Sequence, residues 1–251
     1  MRTLFVSGEV APFTQTSELS QLVRCLPEYL QERGDAEIRI MMPRYGTVSE
    51  RRNRLHEVIR LSGTVIEMDE RAETLKVKVA SIPGIRLQVY FMDNNYYFKR
   101  KGIFADKQGV IFADNLERAL FFARGVFATM HNLGWAPEVI HAFGWMSGFV
   151  PVLLSNEYST DPLFSDVKVI FTPDEADFET SVSEEQAELL GLPSSVVGLS
   201  PTEAGLAYAD LVLNPPSMPP VGDALQIISD TEQVSQQIVS LYEQVLNGVP
   251  V

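Results

Sequence analysis

The sequence predicts one doubly wound α/β domain, with a mainly parallel sheet, a few antiparallel additions and a helix docked after it. Three observations predict this fold. Short apolar runs with the length of buried parallel strands recur along the chain. Segments of helical periodicity alternate with them. No uninterrupted apolar run reaches the roughly 18 residues that a membrane span needs. At 251 residues, 45% hydrophobic and 21% charged, the chain is long enough to bury a sizeable core.

The elements follow in order. "TLFVS" (3–7) reads as a buried strand, and Leu19, Leu22, Val23, Leu26 and Leu30 then recur at helical spacing. "ERGD" (32–35) ends that helix with a glycine, and "AEIRIMM" (36–42) is the next strand, broken by Pro43 and Gly46. "LSGTVIEM", "TLKVKVAS" and "IRLQVYFM" read as two or three strands, antiparallel beside the parallel core. Residues 114–135 form a long helix with a thick apolar stripe. "PEVIHAF" followed by "GWMSGFVPVLLSNEY" repeats the strand-then-helix pattern, and "VKVIFT" (167–172) is another buried strand. A short helix ending "ELLGLP", a helix up to "YAD" and a strand "LVLN" (211–214) complete the domain. "PPSMPPVG" (215–222) holds four prolines in eight residues, so a linker is expected over 215–229. The helix of 230–251 starts with Asp230 as cap and places Val234, Ile238, Leu241 and Val245 on one face, to be packed on the same domain.

Composition excludes several function classes. The single cysteine, Cys25, rules out an internal disulfide and suits a reducing cytoplasm, and the N-terminus is too weakly apolar for a signal peptide. With that one cysteine and three histidines, a structural zinc site is not expected. The net charge of −13 is uneven. Residues 1–150 hold 19 Lys+Arg against 17 Asp+Glu, whereas residues 151–251 hold Lys168 alone against 16 acidic residues. So acidic a half disfavours nucleic acid and reads as a solvated surface. The basic run "RRNRLHEVIR" (51–60) could touch a polyanion but reads first as a solvated face. Asp174, Glu175, Asp177 and Glu179 match no calcium loop and read as a solvated acidic loop. Tyr96, Tyr97 and Phe98 could stack on sugar rings, although aromatic runs are more often core, as Trp135 and Trp145 are read to be.

"LFVSGEVAPF", "LPEYLQERG", "MMPRYG", "FMDNNYYFKRKGIF", "DNLERALFFARG", "LGWAPEVIHAFGW", "GFVPVLL", "VIFT", "LGLP" and "AGLAYADLV" occur in that order between residues 3 and 214. Together they resemble the N-terminal domain of ADP-glucose-type bacterial glycogen synthases and plant starch synthases. The resemblance implies a Rossmann-like half of a GT-B glycosyltransferase. This half binds acceptor α-glucan and forms one wall of the cleft, while a second domain holds most of the sugar nucleotide. It implies no metal and no cofactor.

The departures from that pattern concern chemistry. The family's first loop reads Lys-Thr-Gly-Gly-Leu and touches donor phosphates; here Gln15, Thr16, Ser17, Glu18 and Leu19 stand there. The family's His-x-His-Asp-Trp is His141, Ala142, Phe143, Gly144, Trp145, and its Phe-Thr-x-His-Asn is Phe171, Thr172, Pro173, Asp174, Glu175. Losing a phosphate-paired lysine forfeits about 1.5–3 kcal/mol of charge-assisted bonding. A carboxylate 4 Å from a pyrophosphate adds up to about 4 kcal/mol of repulsion at an effective dielectric of 20. About 36 residues after residue 214 cannot build a second such domain, which needs on the order of 100–200.

The cleft residues implied by the resemblance are Glu9, Gln15, Thr16, Ser17, Asp114 and His141, none of them catalytic. Glu9 is expected to order the loop backbone and His141 to be a satisfied structural histidine. Asp114 and Arg118 are expected either to cap and ion-pair or to face the cleft. The expected function is a catalytically inactive, cytoplasmic glucan-binding or protein-interaction module, with maltooligosaccharide or a protein as partner and no membrane. Its rivals are a glucosyltransferase completed by a partner chain and a homodimeric docking module.

Overall fold

The computed structural model describes residues 1–32, 34, 36–68, 71–176, 178–219, 224–229 and 231–249. Strand β1 (Arg2–Ser7) is buried over five of its six residues and leads through a turn into α1 (Leu19–Glu32). Leu19, Val23, Leu26 and Leu30 of α1 are buried at the expected helical spacing. Pro27 sits inside this helix, where it removes one backbone bond. β2 (Glu37–Pro43) follows, then a one-turn helix α2 (Glu50–Asn53) capped by the Ser49 hydroxyl. A helix here was not expected from the basic run.

Next come β3 (His56–Glu57), β4 (Thr64–Met68), β5 (Arg71–Ser81) and β6 (Gln88–Asp93). The long helix α3 (Asn115–Leu133) buries residues almost all round, and Gly134 closes it with a left-handed backbone. After β7 (Val139–Phe143), a 3-10 turn at Trp145–Ser147 precedes α4 (Phe149–Ser155). The expected 144–158 helix is therefore two pieces. β8 (Lys168–Thr172), α5 (Glu184–Leu190), α6 (Pro201–Tyr208) and β9 (Leu211–Asn214) complete the unit. Both short helices α5 and α6 carry a capping box, at Ser183 with Gln186 and at Ser200 with Glu203.

The strands form one sheet in the order β10-β9-β8-β7-β1-β2-β6-β5-β3, where β10 is Leu225–Gln226. Pairing is parallel from β10 through β6, while β5 joins β6, β3 and β4 antiparallel. This is the mainly parallel sheet with antiparallel additions that the sequence predicts. The segment expected as linker thus carries a short strand on the sheet's edge, although its central residues 220–223 lie outside the described residues. The chain order reverses at β1, between β2 and β7, which opens a crevice above the carboxyl ends of β1 and β7.

Gly148 shows how closely the layers approach. A Cβ there would lie 2.0 Å from the Pro201 carbonyl oxygen, so only glycine lets the start of α6 pack here.

Helix α7 (Thr231–Leu246) docks on the domain against α1. Val234, Ile238, Leu241 and Val245 are buried, as the periodicity predicts, and so is Tyr242. The expected cap, Asp230, lies outside the described residues. Among the described residues no helix is long and apolar enough to cross a membrane. Ile238 is fully buried, so Ile238→Ala is expected to cost about 2–5 kcal/mol in urea unfolding, through lost transfer energy and a residual cavity.

Candidate functional site

The crevice above β1 and β7 is built from three strand exits. The first is the turn of residues 8–18. Its backbone is held by Phe13 N–H and Thr14 N–H donating to the Val10 carbonyl, and by Ala11 N–H donating to Ser20 O at 3.0 Å. The Glu9 carboxylate reaches across the turn, where one oxygen accepts the Thr16 N–H at 2.5 Å and the other the Thr16 hydroxyl at 2.6 Å. A backbone donor of the loop is therefore taken by an internal carboxylate. Gln15 is exposed and its side chain makes no hydrogen bond among the described residues. Ser17 O accepts the Ser20 hydroxyl, and Glu18 accepts the hydroxyl of Ser217, which ties the turn to the segment after β9.

The second exit is β7. His141 is fully buried. Its Nδ1 lies 2.6 Å from the Tyr242 hydroxyl of α7 and its Nε2 lies 2.8 Å from Thr172 Oγ1 on β8. Either tautomer is satisfied, because both partners can donate or accept. Burial lowers the imidazole to about 3, so it is neutral at physiological pH. Phe143, where the resemblance places a second histidine, stacks on the His141 ring at 3.9 Å between centroids.

The third exit is β8, where Asp174 follows Pro173. Asp174 Oδ1 accepts the Trp145 N–H at 2.8 Å, and the other oxygen fills space beside Gly144. Gly144 has φ +70°, and a Cβ there would lie 2.7 Å from Asp174 Oδ2. Burial raises Asp174 to about 6, with the Glu9 charge adding to the effect. Glu179, which accepts the Thr202 N–H at 2.8 Å, is raised by burial to about 7.

Between these exits remains a cavity of about 10 Å³, lined by residues that include Glu9, Ser17, Phe143, Gly144 and Asp174. That is room for about one water. Trp145, one of the cavity's lining residues, meets Phe178 edge-on at 5.2 Å, and Phe178 stacks on Phe104 at 4.0 Å.

Asp114 does not line this cavity and is engaged by Arg100 through two bonds of 2.6 and 2.5 Å. It makes no side-chain cap for α3, so of its expected structural roles only the ion pair is present. Arg118 is fully buried and donates to Tyr97 O and Asn115 Oδ1, and burial lowers it to about 10. The structure thus brings together Glu9, Thr16 and Ser17 in the turn after β1, leaves Gln15 facing solvent, and buries His141 in the middle of β7, away from them. Tyr97 and Phe98 are core residues, which removes them as sugar platforms; only Tyr96 is exposed, with Arg71 over its ring at 4.2 Å. Trp135 and Trp145 are core as expected. Among the described residues no group of three side chains could hold a metal ion, and Asp177 lies outside them. The sequence did not point to Tyr242, because nothing local marks a stripe tyrosine as the partner of a histidine 101 residues away.

The family described as "Starch synthase catalytic domain" matches residues 2–214. Glycogen synthase from Chlorobium limicola is 43% identical over 172 residues, covering 68% of this chain and 35% of that protein. Glycogen synthase from Chlorobaculum parvum is 37% identical over 244 residues, covering 92% of this chain and 48% of that protein. The chain therefore spans less than half the length of these relatives. Among solved structures, the catalytic domain of starch synthase IV from Arabidopsis thaliana, bound to ADP and acarbose, superposes with a TM-score of 0.68 at 21% identity. It covers 84% of this chain and 44% of that one, which shows the fold of one half of a GT-B enzyme.

Two outcomes are expected from this geometry. Tyr242→Phe leaves a buried imidazole nitrogen without a partner and is expected to cost about 1–3 kcal/mol in urea unfolding. Asp174 and Glu179 keep their protons to higher pH folded than unfolded. Their contribution to stability is therefore full below about pH 4 and is lost as pH rises through about 6 and about 7. His141 acts in the opposite sense, its contribution being lost as pH falls below about 6.5. Asp174→Asn with Glu179→Gln should accordingly flatten the fall in Tm between about pH 5 and about pH 8 in thermal melts.

Proposed function

The chain belongs to the starch synthase catalytic domain family, and from that premise we propose that it is an acceptor-side half whose donor-phosphate contacts have been lost. In this reading the domain binds α-glucan and does not itself transfer glucose. The observation that carries it is the turn itself, which offers Gln15, Ser17 and Glu18 where the family has a lysine and glycines, with the Glu18 carboxylate held there by Ser217. An anion site after a first strand needs free backbone N–H groups and positive charge. This turn presents a carboxylate and no cation. The neighbouring exits add Phe143 and a second carboxylate, Asp174, to a cavity of about 10 Å³, while neutral His141 lies buried below it within β7. Stabilising developing charge is usually the largest catalytic contribution, and these residues supply none for a departing diphosphate.

Glucan binding rests on family membership and on the neighbouring fold, whose Arabidopsis example holds acarbose. The test is radiolabelled transfer from ADP-glucose and UDP-glucose to glycogen, run beside affinity electrophoresis through glycogen-containing gels. Expected are no transfer above the protein-free blank and a retarded band. Measurable turnover by this chain would overturn the inactive reading, and unretarded migration would overturn the glucan-binding one.

A further inference from the structure

The basic run 51–60 lines a groove of about 720 Å³ together with the turn 81–86 and Phe13. Arg52, Arg54 and Arg86 line it, and no carboxylate does. All three arginines are exposed, and none of their guanidiniums has a hydrogen-bond or ion-pair partner among the described residues. Elsewhere Arg39, Arg44, Arg100 and Arg124 each pair with a carboxylate. The three guanidiniums share one groove, in the half of the chain where basic residues outnumber acidic ones.

A second observation concerns the backbone. Arg54 follows α2 with φ 53° and ψ 44°, and it is the one non-glycine residue with positive φ among those described. Glycine or asparagine usually occupies such a helix-ending position, because a longer side chain strains the backbone there. An arginine kept at that cost points to work done by its side chain.

The chemistry narrows the occupant. Guanidinium forks match phosphate oxygens two at a time. A phosphomonoester carries close to two negative charges and three acceptor oxygens at neutral pH, which suits several arginines better than a lone carboxylate does. The volume lies in the range of small-molecule pockets. Asn53, Ser81 and Gln88 in the lining offer neutral partners for hydroxyls, and Phe13 offers an apolar face.

We propose that this groove is a binding site for a small phosphomonoester of sugar-phosphate size, separate from the crevice above β1 and β7.

Isothermal titration calorimetry of the full chain tests it, with glucose 6-phosphate, inorganic phosphate, glucose and a short oligothymidylate as probes. Glucose 6-phosphate is expected to bind with a Kd below about 1 mM. Inorganic phosphate should bind more weakly, and glucose should give no heat. Arg54→Gly removes the charge while relieving the backbone, so it should fold at least as stably and bind about tenfold more weakly or worse. Arg86→Ala, an exposed position, should weaken binding likewise. Absence of binding, or affinity unchanged in both variants, would overturn the site. So would glucose binding as well as its phosphate, inorganic phosphate binding as tightly as the ester, or the oligonucleotide binding more tightly than the ester.

Discussion

An uncharged imidazole buried in the middle of a parallel sheet must have both nitrogens satisfied, because no water reaches it to make up the loss. His141 meets that requirement with one hydroxyl from the adjacent strand and one from a helix that arrives 101 residues later. The second contact fixes how the end of the chain must run. After β9 the backbone adds β10 at the sheet's edge, and the helix then comes back to α1 with Tyr242 aimed at the sheet's centre. Much of that helix's buried face is apolar, with Val234, Ile238, Leu241 and Val245 in it. Polar contacts fix its position, from Tyr242 to His141 and from Gln237 to the backbone of Gln226 and Ile228, and apolar burial supplies most of the attachment.

The same pattern governs the turn after β1. Glu9 and Thr16 satisfy one another, and Glu18 is drawn to Ser217. Carboxylates that could have faced a cleft instead tie the turn to itself and to the segment beyond the sheet. The strand exits are nearly filled. Meanwhile the positive charge that the crevice lacks lies on another part of the surface.

Much of this was legible in the sequence. Runs such as "TLFVS", "VIHAF" and "VKVIFT" are long, apolar and bounded, so β1, β7 and β8 fall where expected, and the apolar stripes identify α3 and α7. What escaped were elements too short for periodicity: α2, with one turn, and β3 and β10, with two residues each. Composition hides β10 further, since prolines beside it read as a break. The site was half legible. Which residues stand at the strand ends follows from motif order, but whether they are free or engaged does not. Glu9 binding Thr16 and His141 binding Tyr242 are facts of three-dimensional closure that no local spacing encodes.

Gly144 and Asp174 occupy one volume between them. With the aspartate in place, any side chain at 144 collides with its carboxylate; with glycine in place, removing the aspartate empties a space beside a left-handed backbone. The two positions are locked to each other, so a substitution at either one alone leaves a collision or a void.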